Sequence, residues 1–296
     1  MRLPLRRGAK RKGGFSPTLA GWQASTHAEL AWRSARGAGA RWAIAGGVLG
    51  VLIGLIAFAP AAWLASAVAS ATNQRLLLAD ARGTVWSGSA LPVLTGGPDS
   101  RDASALPGRM QWNVSLSGLT LELRARQECC LNSGTVLRVK PGLARLQATL
   151  QPPPDGIVGQ WPAAWLAGLG TPWNTLQLGG TLRLSTPALN LESVEGRWRM
   201  AGRAEVDLVG VSSRLSTLPT LGSYRLSLAG DGSGNSQITL STLEGPMQLS
   251  GNGNWGAGGV HLRGEAAAAA ADEAALSNLL NIIGRRQGAR SIIAIG

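Results

Sequence analysis

The sequence is poor in the residues that usually carry chemistry. It has two histidines, two cysteines, one tyrosine and two phenylalanines in 296 residues. A structural or catalytic metal needs several His, Cys or carboxylate ligands at short spacing, and no such cluster occurs. His27 lies in a basic N-terminal arm, so a hydrolytic triad in the rest of the chain would have to use His261 as its base. No nucleophile-elbow sequence accompanies it, and "GNGNWGAGGV" is too irregular for a phosphate loop. The sixteen acidic residues are scattered. Close pairs such as Glu192 with Glu195 and Asp272 with Glu273 do occur, and Glu205 with Asp207 on an alternating strand would share a solvated polar face. The expectation is no enzyme: no catalytic, cofactor-binding or metal-binding residue, no cofactor and no small-molecule substrate.

Charge is scarce as well, at 15% of residues, and unevenly spread. Residues 1–41 hold nine Lys and Arg against Glu29 alone, which accounts for eight of the twelve net positive charges. The excess is therefore a local arm and not a groove. It shows no basic–aromatic interleaving of the kind that stacks bases, so no nucleic-acid partner is expected. "LPLRRGAKRKGG" also lacks the apolar surface to order itself. Few charges with 41 glycines suit a β-rich body with frequent turns better than a helical bundle.

From Trp42 to Gln74 no side chain ionises, a longer stretch than the ~20 residues that cross a hydrocarbon core. A secretory signal has an apolar region of roughly 7–15 residues near the N-terminus; this one starts forty residues in and lacks the polar face of a soluble helix. The spacing predicts a transmembrane anchor from Trp42 to Ala71, with Trp42 and Trp63 near the two headgroup layers and Pro60 kinking or ending the regular helix. Arg33, Arg36 and Arg41 just upstream keep the N-terminus cytoplasmic. The expected location is the cell inner membrane, single-pass, with inner-membrane lipid as a partner and the C-terminal domain periplasmic.

Beyond Arg75 the pattern alternates. In "MQWNVSLSG", Met110, Trp112, Val114 and Leu116 point one way and Gln111, Asn113, Ser115 and Ser117 the other, which marks a half-buried strand. "LTLELRA", "TVLRVK", "RLQATLQ", "TLQLGGTLRLS", "RWRMAGRAEVDL", "YRLSLAG", "SQITLST", "GPMQLSGNGNW" and "GVHLRGEA" continue in that style, separated by turns such as "AGDGSGNS". With no repeated crossover helix between them, the strands must run antiparallel. The fold class is mainly β: one N-terminal transmembrane helix, then an extended or curved antiparallel sheet with one short and one C-terminal packed helix. The chain divides into a basic cytoplasmic arm (1–41), an anchor (42–74), a first β-rich half (76–150) and, past the break "QPPPDG", a second (157–296). The short helix is expected over 160–170. The longer one is expected over 266–286, where Leu276, Leu279, Leu280 and Ile283 form one apolar stripe and Arg285 and Arg286 sit at the negative end of the dipole; "SIIAIG" adds a last strand.

Cys129 and Cys130 are adjacent. Three outcomes compete in an oxidising compartment: a vicinal disulfide, a link to another chain, or two free thiols. Trp112 is expected in the core, and Trp86 and Trp198, each flanked by glycines, are expected to pack there too.

"ARGTVWSGSALPVL" (81–94), "WLAGLGTPWNTLQLGGTLRLS" (165–185), "LPTLGSYRLSLAGDGSGNSQITLSTLEGPMQLSGNGNW" (218–255) and "ALSNLLNIIGRRQGARSII" (275–293) occur in an order that resembles the type II secretion system protein N (GspN) family. The resemblance covers most of residues 76–293. It implies a bitopic inner-membrane component of the machine that exports folded proteins from the periplasm across the outer membrane, with other type II secretion subunits as partners and no catalytic residues. The long basic arm departs from the usual form of that family. The alternative is an anchored periplasmic lipid-binding or lipid-transfer module, in which an apolar concave face shelters an acyl chain.

Overall fold

The computed structural model describes residues 39–296 apart from 133 and 257, so all but the last three residues of the basic arm lie outside the described residues. The described chain forms two units that meet in sequence between Ala57 and Phe58. The first holds helix α1 (Gly39–Ala57), whose 19 residues contain Arg41 as their one charge. At 1.5 Å per residue that length is about 28 Å, close to the thickness of a hydrocarbon core. Its large side chains, Trp42, Ile44, Leu49 and Val51 among them, are all exposed. One helix of the described residues is thus long and apolar enough to cross a membrane.

Pro60 ends the apolar run's first helix: it has no N–H to give, it disfavours helical backbone at Ala59, and its own φ/ψ of −68°/147° is extended. Helix α2 (Ala61–Ala71) starts afresh after it. Ala61, Leu64, Ala65 and Val68 fall at i, i+3, i+4 and i+7 and pack on Leu78, Ala90 and Trp112, while Trp63 stays exposed. The run read as one anchor therefore consists of a bare helix and a second, shorter helix that covers the start of the sheet.

Strands follow in short succession: β1 (Leu76–Gly83), β2 (Ser87–Thr95), β3 (Ala103–Ala105), β4 (Met110–Ser117), β5 (Thr120–Arg126), β6 (Val136–Gly142), β7 (Arg145–Gln151) and β8 (Ile157–Pro162). A 3-10 turn over Ala163–Leu169 and the single-turn α3 (Trp173–Leu176) lead into two 17-residue strands, β9 (Leu178–Val194) and β10 (Arg197–Ser213). Then come β11 (Gly222–Asp231), β12 (Ser236–Glu244), β13 (Met247–Gly256), β14 (Gly259–Ala268), α4 (Glu273–Ile283), β15 (Arg285–Gln287) and β16 (Arg290–Ile295). All sixteen belong to one open antiparallel sheet ordered β1-β2-β4-β5-β6-β7-β9-β10-β11-β12-β13-β14-β16-β15, with β3 beside β2 and β8 beside β9. The mainly β architecture read from the sequence is the observed one.

The register shows why alternation was so regular. One row of opposed residues runs Val114, Leu123, Leu137, Leu150, Leu189 across five strands; a second runs Leu184, Val206, Leu226, Leu240. The row beside the first, Ser115, Glu122, Arg138, Thr149, Asn190, is polar throughout. Arg138 Nε donates to Glu122 Oε1 at 2.9 Å there, and the Thr149 hydroxyl to Asn190 Oδ1 at 2.7 Å. A sheet built this way has one greasy face and one wet one. The helices cover the greasy face: α2 at the β1–β4 side, and α3 and α4 over β9–β16. Leu276, Leu279 and Leu280 of α4 are fully buried against Tyr224, Met247 and Ala266. Tyr224 donates its hydroxyl to the carbonyls of Leu221 (2.9 Å) and Met247 (3.1 Å), and burial pushes its phenol well above the ordinary range.

Three local expectations are corrected. Gln160 and Trp161 are paired with Arg183 and Leu182 in β8, so the short helix begins only at Ala163. Ala266 and Ala267 pair with Leu249 and Gln248 on one side and Ser291 and Arg290 on the other, so the second helix is Glu273–Ile283 and not 266–286. Ladder bonding on both sides outweighs the helix preference of an alanine run. Arg285 and Arg286 consequently leave the helix for β15, where Arg286 reaches Glu273 at 3.5 Å. The break at "QPPPDG" does not interrupt the sheet, because β7 before it and β9 after it are direct neighbours.

Candidate interaction surfaces

The groups that could have supported catalysis are not brought together. His261 lies on β14 opposite Asn254, exposed and without a hydrogen-bond or ion-pair partner among the described residues. No group of three His, Cys, Asp or Glu converges among the described residues. Glu205 and Asp207 share a face, as alternation requires, but Asp207 is buried and Glu205 half-buried. Arg225, opposite Asp207 on β11, donates Nε to Asp207 Oδ1 at 2.7 Å and a terminal nitrogen to Oδ2 at 2.8 Å, and lies 3.3 Å from Glu205. Asp207 is buried, so this bidentate pair ties β10 to β11 as a structural clamp. The two-charge pairing raises the arginine's proton affinity further.

Cys129 and Cys130 are joined to each other by a disulfide. They sit in the corner between β5 and β6, where the Gln160 N–H donates to the Cys130 carbonyl at 2.7 Å and the Asn132 N–H to Val158 at 2.9 Å. Cys130 is buried and Cys129 exposed. The Gln127 side-chain amide donates to the Pro107 carbonyl at 3.2 Å and fixes the other wall of the corner.

Several contacts constrain the place where the chain joins the sheet. The Val85 N–H, in the β1–β2 turn, donates to the Ala59 carbonyl at 2.9 Å, and Pro60 bridges Thr84. Trp112, 4% exposed, donates its indole N–H to the carbonyls of Val85 (3.1 Å) and Thr84 (3.3 Å) in that same turn. Gly88 has no side chain because a Cβ there would lie 2.5 Å from Trp112 Cζ2 and 2.6 Å from the Arg82 carbonyl. Trp112 is thus in the core as read from its strand, and its polar edge finds backbone acceptors. Trp198 is the opposite case: it lies near the β9–β10 turn and is 48% exposed, a correction to its expected core role.

Beside Trp112 an open groove of about 620 Å³ runs over β2, β4 and β5 between Arg82, Asn113 and Arg124. Asp80 holds Arg82 at 2.9 Å, and Glu122 holds Arg124 at 3.3 Å, which leaves Arg126 as the groove's cation without an ion pair among the described residues. The sheet's two end strands are both blunted against casual pairing. In β1 the register slips between Ala79 and Arg82, with Asp80 at φ +47°; β15 is three residues long and carries two arginines.

A family model described as type II secretion system (T2SS), protein N matches residues 74–293. No curated protein and no solved structure matches the chain.

Proposed function

The chain belongs to the type II secretion system protein N family, and from that premise we propose that it is a bitopic inner-membrane subunit that holds a β-sheet on the periplasmic side for other secretion subunits to bind. The carrying observation is where the family match falls: it begins at residue 74, after the apolar helices, and covers all of the sheet but the last two residues of β16. The working unit in this reading is the sheet body, and α1 is its tether. The clustering of Arg33, Arg36 and Arg41 before the helix supports a cytoplasmic N-terminus. Scaffolding rather than catalysis suits a body in which arginines hold Glu122, Glu192 and Asp207 and whose exposed histidine has no partner among the described residues.

Two experiments test the proposal. Alkaline phosphatase fused after Gly296 should be active, and a fluorescent protein fused there that folds only in the cytoplasm should be dark; the reverse pattern overturns the topology. Photo-cross-linking in cells from exposed positions along residues 160–260 should capture other type II secretion subunits, and capture of none of them overturns the scaffold role.

One observation favours a second reading. On the greasy face Leu121, Leu137, Val139 and Leu189 are only half-buried, although they lie mid-sheet. A sheet that shelters an acyl chain would look like this, and phospholipid co-purifying in stoichiometric amount from mild detergent would support that module instead.

A further inference from the structure

Two hairpin turns at one end of the sheet are unlike the others. Ser117 pairs with Thr120, Gly142 with Arg145 and Val194 with Arg197, so β4–β5, β6–β7 and β9–β10 are each closed by two residues. Tight turns favour Gly, Asn, Asp and Ser. Here the first two display leucines instead: Leu119 is 81% exposed and Leu143 fully so. The register Leu121 with Val139, and Arg145 with Val194, puts all three turns at the same end of the sheet. At that end Pro141, Leu146, Ser193 and Trp198 form one cross-strand row, and Leu146 and Trp198 in it are exposed. The adjoining row, on the opposite face, is Lys140, Gln147, Glu192, Arg199. Lys140 and Arg199 have no ion pair among the described residues, while Arg145 holds Glu192 at 2.7 Å and Arg197 lies 3.8 Å from Glu195. The rim therefore has an apolar side, a cationic side and two cations in excess.

Two further facts say what covers it. Ser87 pairs with Asn113, which places the β1–β2 turn, where Ala59 and Pro60 join the sheet, at this same end. The β11–β12 turn also lies at this end, since Ala201 pairs with Asp231, but it is farther along the sheet and reads Gly-Ser-Gly-Asn. Leucine tips thus occur on β4–β5 and β6–β7, the hairpins nearer the tether, and ordinary turn residues on β9–β10 and β11–β12 beyond them. We infer that the β4–β5, β6–β7 and β9–β10 tips rest in the surface of an anionic bilayer, the one that α1 crosses, with Leu119, Leu143 and Trp198 in the interface and Lys140 and Arg199 against lipid phosphates. Exposed apolar side chains flanked by Lys and Arg are how an interfacial element holds a membrane. The consequence is a sheet with its tip end on the lipid, so that the opposite end, with the β10–β11 connection and α4, points to partners. This inference rests on the proposed membrane span.

The test uses the full chain in vesicles of phosphatidylethanolamine and phosphatidylglycerol, with a nitroxide at Leu143→Cys and, as the opposite-end reference, at Thr217→Cys. The label at 143 should be relaxed by oxygen and shielded from a water-soluble nickel chelate, and the label at 217 should show the reverse. Leu119→Ser should weaken the shielding at 143 by about tenfold, the loss of one leucine from an apolar phase, and so should Lys140→Glu with Arg199→Glu. A label at 143 that stays open to nickel in vesicles overturns the inference, as does shielding that arises only when other secretion subunits are added, since the tips would then dock on protein. Failure of the chain to enter vesicles at all would instead overturn the span itself, and this inference with it.

Discussion

Replacing Trp112 probes the joint between tether and sheet. The indole is 4% exposed, packs with Ala61, Leu78 and Ala90, and holds the β1–β2 turn through Val85 and Thr84. Removing a core Trp to Ala costs about 3–5 kcal/mol. For a body of this size 1 kcal/mol moves Tm by about 2–4 °C, so Trp112→Ala should lower it by about 12 °C. Trp112→Phe keeps most of the packing and loses the donor, a cost of about 1–2 kcal/mol, or about 5 °C. Gly88→Ala adds a second handle. Its Cβ would meet Trp112 Cζ2 at 2.5 Å, but also the Arg82 and Thr84 carbonyls at 2.6 and 2.9 Å. Shrinking the Trp relieves one contact of three, so Gly88→Ala with Trp112→Phe should be no more stable than Gly88→Ala alone. The assay is thermal unfolding of the full chain in detergent, followed by near-ultraviolet circular dichroism. A loss under 2 °C for Trp112→Ala, or recovery of wild-type Tm in the double variant, would refute the reasoning.

Other perturbations separate clamps from decoration. Arg225→Met strands the buried Asp207 carboxylate and should cost about 2 kcal/mol in urea unfolding, a figure reduced because the guanidinium is partly solvated; Asp207→Asn added to it should recover part of the loss. Arg109 and Arg82 hold the Asp80 carboxyl below its usual 3.8, so its contribution to stability is present above that pH and lost as pH falls below it. Asp80→Asn and wild type should then differ in Tm at neutral pH and converge in acid. Cys129→Ser with Cys130→Ser should shift Tm by less than about 2 °C, because a bridge between neighbours closes too short a loop to restrict the unfolded chain. The native chain should react with maleimide only after reduction.

The sheet was legible wherever its two faces differ in polarity. Strands β4 to β7 and β9 to β14 lie where alternation places them, because each residue's face decides whether it meets lipid-like or watery neighbours. β1, "LLLADARG", was missed as a strand because its first three residues are all apolar and a bulge then breaks the period. β8 hid inside a Trp- and Ala-rich run whose pairing to β9 is long-range. Composition does not separate α2 from the anchor, since its packed side is made of Ala, Leu and Val and its free side of Trp, Ala and two serines, too few polar groups to tell protein contact from lipid contact. Size alone argues for Trp198 in the core, whereas the register sets it one pair from a turn. The leucine tips carry a sequence signal of their own: a two-residue hairpin in which a leucine takes the place of a polar turn residue.

The sheet body should be needed for export. In the bacterium that encodes the chain, deleting residues 76–296 should leave the proteins of the type II pathway trapped in the periplasm while phospholipid composition is unchanged. Normal amounts of those proteins in the culture medium would contradict it.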